Sequence, residues 1–511
     1  MYGWCYNYFM LESANNDIFT IGVGGAAGDG VKKAGIKIAD FLRQKGFEVY
    51  ISFEYPSLIR GGHNFARISF AKEPASAESS GVAKKIWCDY SELDILIASN
   101  GEHADLHKGE LKEGGKIITN IPLSQISENP AMVLGEINLA ASAESSGAPK
   151  ELIDGNTAFA KGLLAAGLDF YLAYPMTPST SILHYLAGQQ TKDGLKVVQP
   201  ENEISVVNMA LGMAYAGKRA AVGTAAGGFA LMQEAFSFAG MAELPLVVAV
   251  AQRQAPATGV PTRSSQSDLR FVIHAGHGEF PKIVIAPGDP EESFRAGADA
   301  LNLAWKFKTP VIVLLDKILS EHMMTTNAER WKDEKMEIFE NMIFPGTLNA
   351  VVKVTSYEHD KDGFTTDKAE DVKRAVEKRF EKQKNIEEEM QNIETIKIYG
   401  DVNSNPSISS GQENVIVFFG STKGPVLEAS KYFNKPTKLV QILWLEPFDT
   451  EKVKRELEGR KIICVEGNHN GQLASLIREK TGIEIKDKIL KYDSSPFDPV
   501  ELAEQINTIW N

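Results

Sequence analysis

Two periodicities alternate along most of this chain. Phe19–Val23 is a short apolar run of strand length. It enters a glycine-rich turn and then Val31–Lys45, where apolar residues recur as on one face of a helix. Further strand patterns fall at Phe47–Phe53, Asp94–Ser99 and Lys116–Thr119, and their alternation with helix patterns predicts a parallel α/β unit ending near residue 135. Residues 136–154 are small and polar and read as a linker. The pattern then resumes with helices at Thr157–Ala166 and Glu203–Ala216 and strands at Asp169–Ala173 and Ala220–Thr224. Leu244–Ala251 and Pro310–Leu315 are apolar throughout, which predicts strands covered on both faces. Residues 326–412 are charged, with a solvent-facing helix expected over Glu370–Ile393 and a polar loop over Asp401–Gln412. Val415–Phe419, Lys438–Leu443 and Lys461–Val465 mark a third α/β unit. The expected fold class is therefore α/β. Three α/β domains are expected, over 17–135, 155–325 and 413–511, with 326–412 as a charged helical connector.

Composition narrows the function classes. Of 511 residues, 43% are hydrophobic and 24% charged, an ordinary globular balance. The net charge of −13 argues against nucleic acid as the main ligand, since phosphate binding needs clustered Lys and Arg. No apolar run reaches the ~20 residues of a bilayer span, so no membrane partner is expected. The first 17 residues lack the basic and apolar regions of a secretory signal, so a cytoplasmic location is expected. Cys5, Cys88 and Cys464 are too few for a disulfide framework or for a four-cysteine iron–sulfur cluster. The heptapeptide Ala-Ser-Ala-Glu-Ser-Ser-Gly occurs at 75–81 and again at 141–147, and nothing in its chemistry explains the duplication.

Several motifs could carry chemistry. Gly22, Gly24 and Ala27 fit the G-x-G-x-x-G/A turn that brings backbone up to a phosphate, with Glu48 or Glu54 as the acid for a ribose. The same turn could equally pack a helix on a sheet without a nucleotide. Arg60, between Ile59 and Gly61-Gly62-His63-Asn64, suits a phosphate or carboxylate, or is an arginine in a turn. Tyr174-Pro175-Met176-Thr177-Pro178-Ser179-Thr180-Ser181 follows a strand directly. It places hydroxyls at a strand's carboxyl end, where α/β sheets bind ligands, although Ser179 or Thr180 could serve as an N-cap. In Gln199-Pro200-Glu201-Asn202-Glu203, both acids suit a first helical turn for dipole reasons alone. Arg253, after a buried strand, could form a carboxylate fork or lie on the surface. Gln266, Asp268, His274 and His277 follow; His277 has no metal-type spacing. Val465–Gln472 reads as a polar loop entering a helix.

Taken in order, these motifs resemble the alpha subunit of the 2-oxoacid:ferredoxin oxidoreductases, in the form with an N-terminally fused gamma domain. GVGGAAGDGV and SLIRGGHN resemble the gamma domain. YPMTPSTS, QPENE, GTAAGGFALMQEA, QRQAPATGVPT, QSDL and HAGHGE resemble the pyrimidine-binding domain of a thiamine diphosphate enzyme. EHDKDG resembles its connector, and VEGNHNGQL with YDSSPF the transketolase C-terminal-like domain. The resemblance implies that Glu203 bonds N1′ of the aminopyrimidine, favouring the tautomer that removes the thiazolium proton, and that the ylid so formed attacks a 2-oxoacid. It gives Thr177 a place against substrate and thiazolium, Tyr174 and Pro175 a place at the cofactor, and Arg253 the substrate carboxylate. Arg60 and Asn64 become candidates for coenzyme A. The diphosphate half, signed by Gly-Asp-Gly and an Asn about 30 residues on, is missing: Gly28-Asp29-Gly30 is followed first by Asn64. A beta subunit is therefore implied to bring Mg²⁺ and at least one [4Fe–4S] cluster, with no metal site in this chain, ferredoxin as electron acceptor and an (αβ)2 assembly. The gamma domain is expected over the active-site entrance. RGGHN favours 2-oxoglutarate; GTAAGGF and YDSSPF depart from commoner forms and leave pyruvate open. An NAD(P)-dependent dehydrogenase using the N-terminal turn is the alternative.

Overall fold

The apolar runs assemble into three sheets, because each strand buries side chains that no neighbour in sequence can cover. The computed structural model describes residues 18–56, 62–71, 85–134, 150–191, 194–327, 331, 337, 343–400 and 414–511. The N-terminal sheet orders its strands Leu111–Thr119, Leu93–Ala98, Ile18–Ala26, His63–Ala71, Val49–Glu54, Met323–Asn327, Lys150–Asp154. Ile18–Ala26 is parallel to Leu93–Ala98 but antiparallel to His63–Ala71. The sheet is thus mixed, where the sequence pattern predicted a parallel one. Val49–Glu54 and His63–Ala71 are joined by a connection too short for a crossover, so they pair antiparallel. Lys150–Asp154, inside the expected linker, is also a strand; it pairs with Met323–Asn327, and together they extend this sheet. The rest of that linker lies outside the described residues, as do Asp401–Gln412 and both copies of the repeated heptapeptide.

The middle sheet runs Trp444–Glu446, Ile283–Ile285, Pro310–Asp316, Leu246–Gln252, Ala220–Thr224, Phe170–Leu172, Lys196–Val198. Its strands are parallel except Trp444–Glu446, which arrives from the C-terminal part of the chain and pairs antiparallel. Leu246–Gln252 and Pro310–Asp316 are buried along their whole length, as their unbroken apolar character predicts. Helices Gly155–Ala165 and Pro290–Phe307 pack together so closely that a Cβ on Gly162 would stand 1.9 Å from the Phe294 carbonyl oxygen. The C-terminal sheet orders Ile396–Tyr399, Thr437–Ile442, Asn414–Phe418, Lys461–Glu466, Asp487–Leu490. Connector helix Ala369–Glu389 buries only Arg379 and Ile386, as its mixed charges predict.

Buried polar groups lock the second and third sheets together. The ammonium of Lys423, 2% exposed, sits between Asp289 and Glu292, the latter at 2.5 Å. Gln266 donates to the Phe419 carbonyl (3.0 Å) and accepts from Thr422 Oγ1 (2.8 Å) and Gly467 N (2.9 Å). Glu466 accepts the backbone N–H groups of Leu473 and Ala474, so the Val465–Gln472 motif is a helix anchor. Among the described residues, no helix is long and apolar enough to cross a membrane.

Candidate active site

Parallel strands share a carboxyl edge, and here adjacent strands deliver the candidate residues to it. Phe170–Leu172 leads into Tyr174–Ser181, Ala220–Thr224 ends on buried Thr224, and Leu246–Gln252 leads into Arg253. Lys196–Val198, next to Phe170–Leu172, leads into helix Glu203–Tyr215, whose cap is the Asn202 side chain accepting from Ser205 N at 2.9 Å.

The two acids before this helix separate. Glu201 is exposed, as an acid serving only the helix dipole would be. Glu203 is 4% exposed, and its Oε1 has no hydrogen-bond partner among the described residues. Leaving a buried carboxylate oxygen without a donor costs at least about 1–3 kcal/mol, so the position calls for a donor from elsewhere. Gly228 makes room for the Glu203 carboxyl: a Cβ there would fall 2.2 Å from Thr224 Oγ1 and 2.7 Å from Glu203 Oε1. The apolar side chains of Ile204 and Leu231 are exposed and line an adjoining groove of about 570 Å³ with Phe238 and Arg379.

The Tyr174–Ser181 loop is pinned from several sides. Asn156 Nδ2 donates to the Pro178 carbonyl and to Ser181 Oγ, both at 2.8 Å. Ser179 makes no side-chain cap; its hydroxyl donates to the Met176 carbonyl at 2.7 Å. The Thr177–Pro178 bond is cis. Tyr174 stands at the rim, 39% exposed, while Pro175 and Thr177 are half-buried.

Arg253 is braced rather than loose on the surface: its Nη1 donates to the Thr177 carbonyl at 2.8 Å. Burial lowers the guanidinium's pKa, opposed by Asp268. Burial also pushes the Asp268 carboxyl up to about 6, against the pull of Arg253. Asp268 Oδ2 has no partner among the described residues. Glu203, Thr177 and Arg253 therefore belong to one edge, with an unmatched acceptor and a cation. His277 is held by its backbone N–H on Ser237 Oγ at 2.7 Å and lines the groove beside Ile204.

The N-terminal turn joins strand Ile18–Ala26 to helix Val31–Gln44, the arrangement a nucleotide fingerprint needs, but its acids are occupied. Both candidate ribose acids are engaged: Glu48 with Lys150 at 2.6 Å, and Glu54 with Arg263 at 2.7 Å. That leaves the dehydrogenase reading without its ribose ligand. Asn64 pairs in register with Gly25 of the turn, and its Oδ1 is buried without a partner among the described residues. Arg60 lies outside the described residues. His63 bonds His103 at 2.9 Å and His107 at 2.7 Å. Among the described residues, no group of three or more His, Cys, Asp or Glu side chains is arranged to hold a metal ion.

Sequence reasoning did not single out Asn156, Thr224 or Gly228, nor the charge of Asp268 acting on Arg253. The small-residue run Gly223–Gly228 was the available signal, since a close approach to a buried group needs residues without bulk.

Comparison with known proteins bears on the chain as a whole. Residues 161–395 match the family model described as pyruvate flavodoxin/ferredoxin oxidoreductase, thiamine diP-binding, and residues 20–168 match the pyruvate ferredoxin/flavodoxin oxidoreductase model. The alpha subunit of 2-oxoacid:ferredoxin oxidoreductase 1 from Sulfurisphaera tokodaii is 37% identical over 387 residues, covering 69% of this chain and 60% of that one. This chain thus spans about 60% of the length of that relative. The 2-oxoglutarate synthase subunit KorA of Methanocaldococcus jannaschii is 31% identical over 346 residues, covering 62% of this chain and 88% of KorA. A solved structure of 2-oxoglutarate:ferredoxin oxidoreductase from Magnetococcus marinus, with 2-oxoglutarate, coenzyme A and succinyl-CoA bound, shares the fold. Its TM-score is 0.84 at 24% identity, over 97% of this chain and 100% of that chain. By these relatives, the chain belongs to the 2-oxoacid:ferredoxin oxidoreductase alpha-subunit family.

Proposed function

We propose that this chain is the alpha subunit of a 2-oxoacid:ferredoxin oxidoreductase, which converts a 2-oxoacid and coenzyme A to acyl-CoA and CO2 and passes the electrons to ferredoxin. The observation that carries the reading is Glu203 Oε1, an acceptor buried without a donor beneath the notch at Gly228. A protonated ring nitrogen of an aminopyrimidine supplies the missing donor, so the residues present fit thiamine diphosphate. When bound, that cofactor supplies the carbon nucleophile for the oxo group and accepts the electron pair left by CO2.

This chain's own residues do the rest. Glu203 holds the proton shared with the ring nitrogen. Arg253 takes the substrate carboxylate by charge-assisted hydrogen bonds. Thr177, with its carbonyl bonded to Arg253, sets the substrate's distance from the reacting carbon. Tyr174 and Pro175 wall the rim.

The site is half of an active site. Its acceptor is buried, yet beside it exposed Ile204 and Leu231 line an open groove, a combination that suits a covering subunit. We assign the diphosphate, Mg²⁺ and [4Fe–4S] sites to a beta subunit, within a cytoplasmic (αβ)2 assembly. Asn64, with its unmatched amide oxygen beside the glycine turn, and Arg60 are the candidates for coenzyme A. The KorA relative and the RGGHN motif favour 2-oxoglutarate as substrate.

The test is methyl viologen reduction by the chain co-purified anaerobically with its partner subunit, given coenzyme A and either 2-oxoglutarate or pyruvate. Coenzyme A-dependent reduction is expected, faster with 2-oxoglutarate. No reduction with any 2-oxoacid would overturn the reading.

A further inference from the structure

The loop that follows Arg253 is closed by backbone hydrogen bonds of its own, Arg263 N donating to the Val260 carbonyl at 3.0 Å among them, but it packs little against the core. None of residues 253–264 is buried, and the tip, 256–260, is exposed. Ala257 and Gly259 both take left-handed backbone, at φ 52. Within the loop, Gln254 N donates to the Arg263 carbonyl at 3.0 Å and Val260 N donates to the Gln254 carbonyl at 3.0 Å. Arg263 is thus tied through one hydrogen bond to the residue next to Arg253.

The anchor comes from the other sheet. Arg263 Nη1 lies 2.7 Å from Glu54 Oε2, at the end of strand Val49–Glu54, and Thr262 Oγ1 donates to the Pro56 carbonyl at 3.4 Å. Glu54 is itself fixed: it lies 3.6 Å from Arg67, which is 10% exposed and also faces Asp89 and Glu110. The Glu54–Arg263 pair is about one-third exposed on both sides. Pairs of that exposure contribute little to stability. Their geometric effect is another matter, since a small misplacement of a binding group can cost much in rate or affinity.

We propose that Arg263 is a positioning residue for the substrate site. Paired with Glu54 across the domain boundary, it fixes the loop that carries Arg253, so that the N-terminal domain sets the aim of the carboxylate clamp. The inference rests on the functional reading above.

The test uses the complex with its partner subunit and four variants: Arg263→Ala, Arg263→Lys, Glu54→Gln and the double Glu54→Gln/Arg263→Ala. Each single loss is expected to raise KM for the 2-oxoacid roughly tenfold with kcat little changed. The double variant should be no worse than either single, because the two changes remove one interaction. Arg263→Lys should restore most of the affinity, since the bridge uses a single N–O contact. The thermal midpoint should stay within about 2 °C of wild type throughout, which separates positioning from folding. Unchanged KM in the single variants overturns the proposal. So does a rise in Arg263→Ala that Glu54→Gln fails to share, because Arg263 would then act on the ligand directly. A wild-type complex that turns over no 2-oxoacid overturns the functional reading and this inference with it; turnover with unshifted KM overturns the inference alone.

Discussion

At the scale of single residues, the site depends on what is absent as much as on what is present. Glu203 can point inward because residue 228 has no side chain and Thr224 is small. Gly228→Ala would press a methyl group on both. The expected result is a loss of about 1–3 kcal/mol of stability, read by denaturant unfolding, together with a fall in viologen reduction from a displaced Glu203 carboxyl. Wild-type stability and rate in that variant would mean the notch is not needed. The same pair shows where reading a sequence stops. Glu203 and Glu201 look alike in Glu201-Asn202-Glu203, and helix-dipole reasoning explains both; only the resemblance to a family separated them. Burial decides between them, and burial depends on Thr224 and Gly228, some 20 residues on, through a fold that local pattern does not carry. Arg253 was legible as a strand-end arginine, but its brace on the Thr177 carbonyl was not, since the two follow different strands.

Elements follow the same division. The long apolar strands, the helix Val31–Gln44 and the charged helix Ala369–Glu389 were legible because their periodicity is local. His63–Ala71 and Lys150–Asp154 were not, for opposite reasons. The first follows a motif whose glycines and arginine read as a loop; the second lies in small, polar surroundings and becomes a strand only by pairing with Met323–Asn327. The helix pair Gly155–Ala165 and Pro290–Phe307 shows a packing constraint that composition conceals. Gly162 stands against the Phe294 carbonyl, and a Cβ on Gly297 would lie 2.4 Å from the Phe159 carbonyl. Backbone cannot yield as a side-chain tip can, so Gly162→Ala must push the helices apart. The expected destabilisation is at least about 1–3 kcal/mol, seen as a lower thermal midpoint with the cofactor site's chemistry intact in the molecules that remain folded. An unchanged midpoint would contradict this close packing.

On the scale of the whole molecule, the three sheets are interlocked rather than strung in series. Met323–Asn327 closes the N-terminal sheet after the chain has built most of the middle one, and Trp444–Glu446 returns to the middle sheet from the C-terminal part. Buried Lys423 and Gln266 fasten the second and third sheets, while Glu54 and Arg263 join the first to the active edge. The three-part α/β organisation was legible; the strand exchange was not, because it joins segments more than a hundred residues apart. The molecule so built presents the buried Glu203 carboxyl, unmatched among the described residues, on an edge beside an open groove, which is why the account gives it half an active site and a partner. The most direct test is viologen reduction by the anaerobic complex of this chain with its partner subunit, comparing wild type with Glu203→Gln. Glutamine keeps the shape but cannot hold the shared proton as a carboxylate does. The account predicts a fall of about 10²–10⁴-fold in rate, with the complex assembled and its thermal midpoint retained. A Glu203→Gln complex as active as wild type would contradict it.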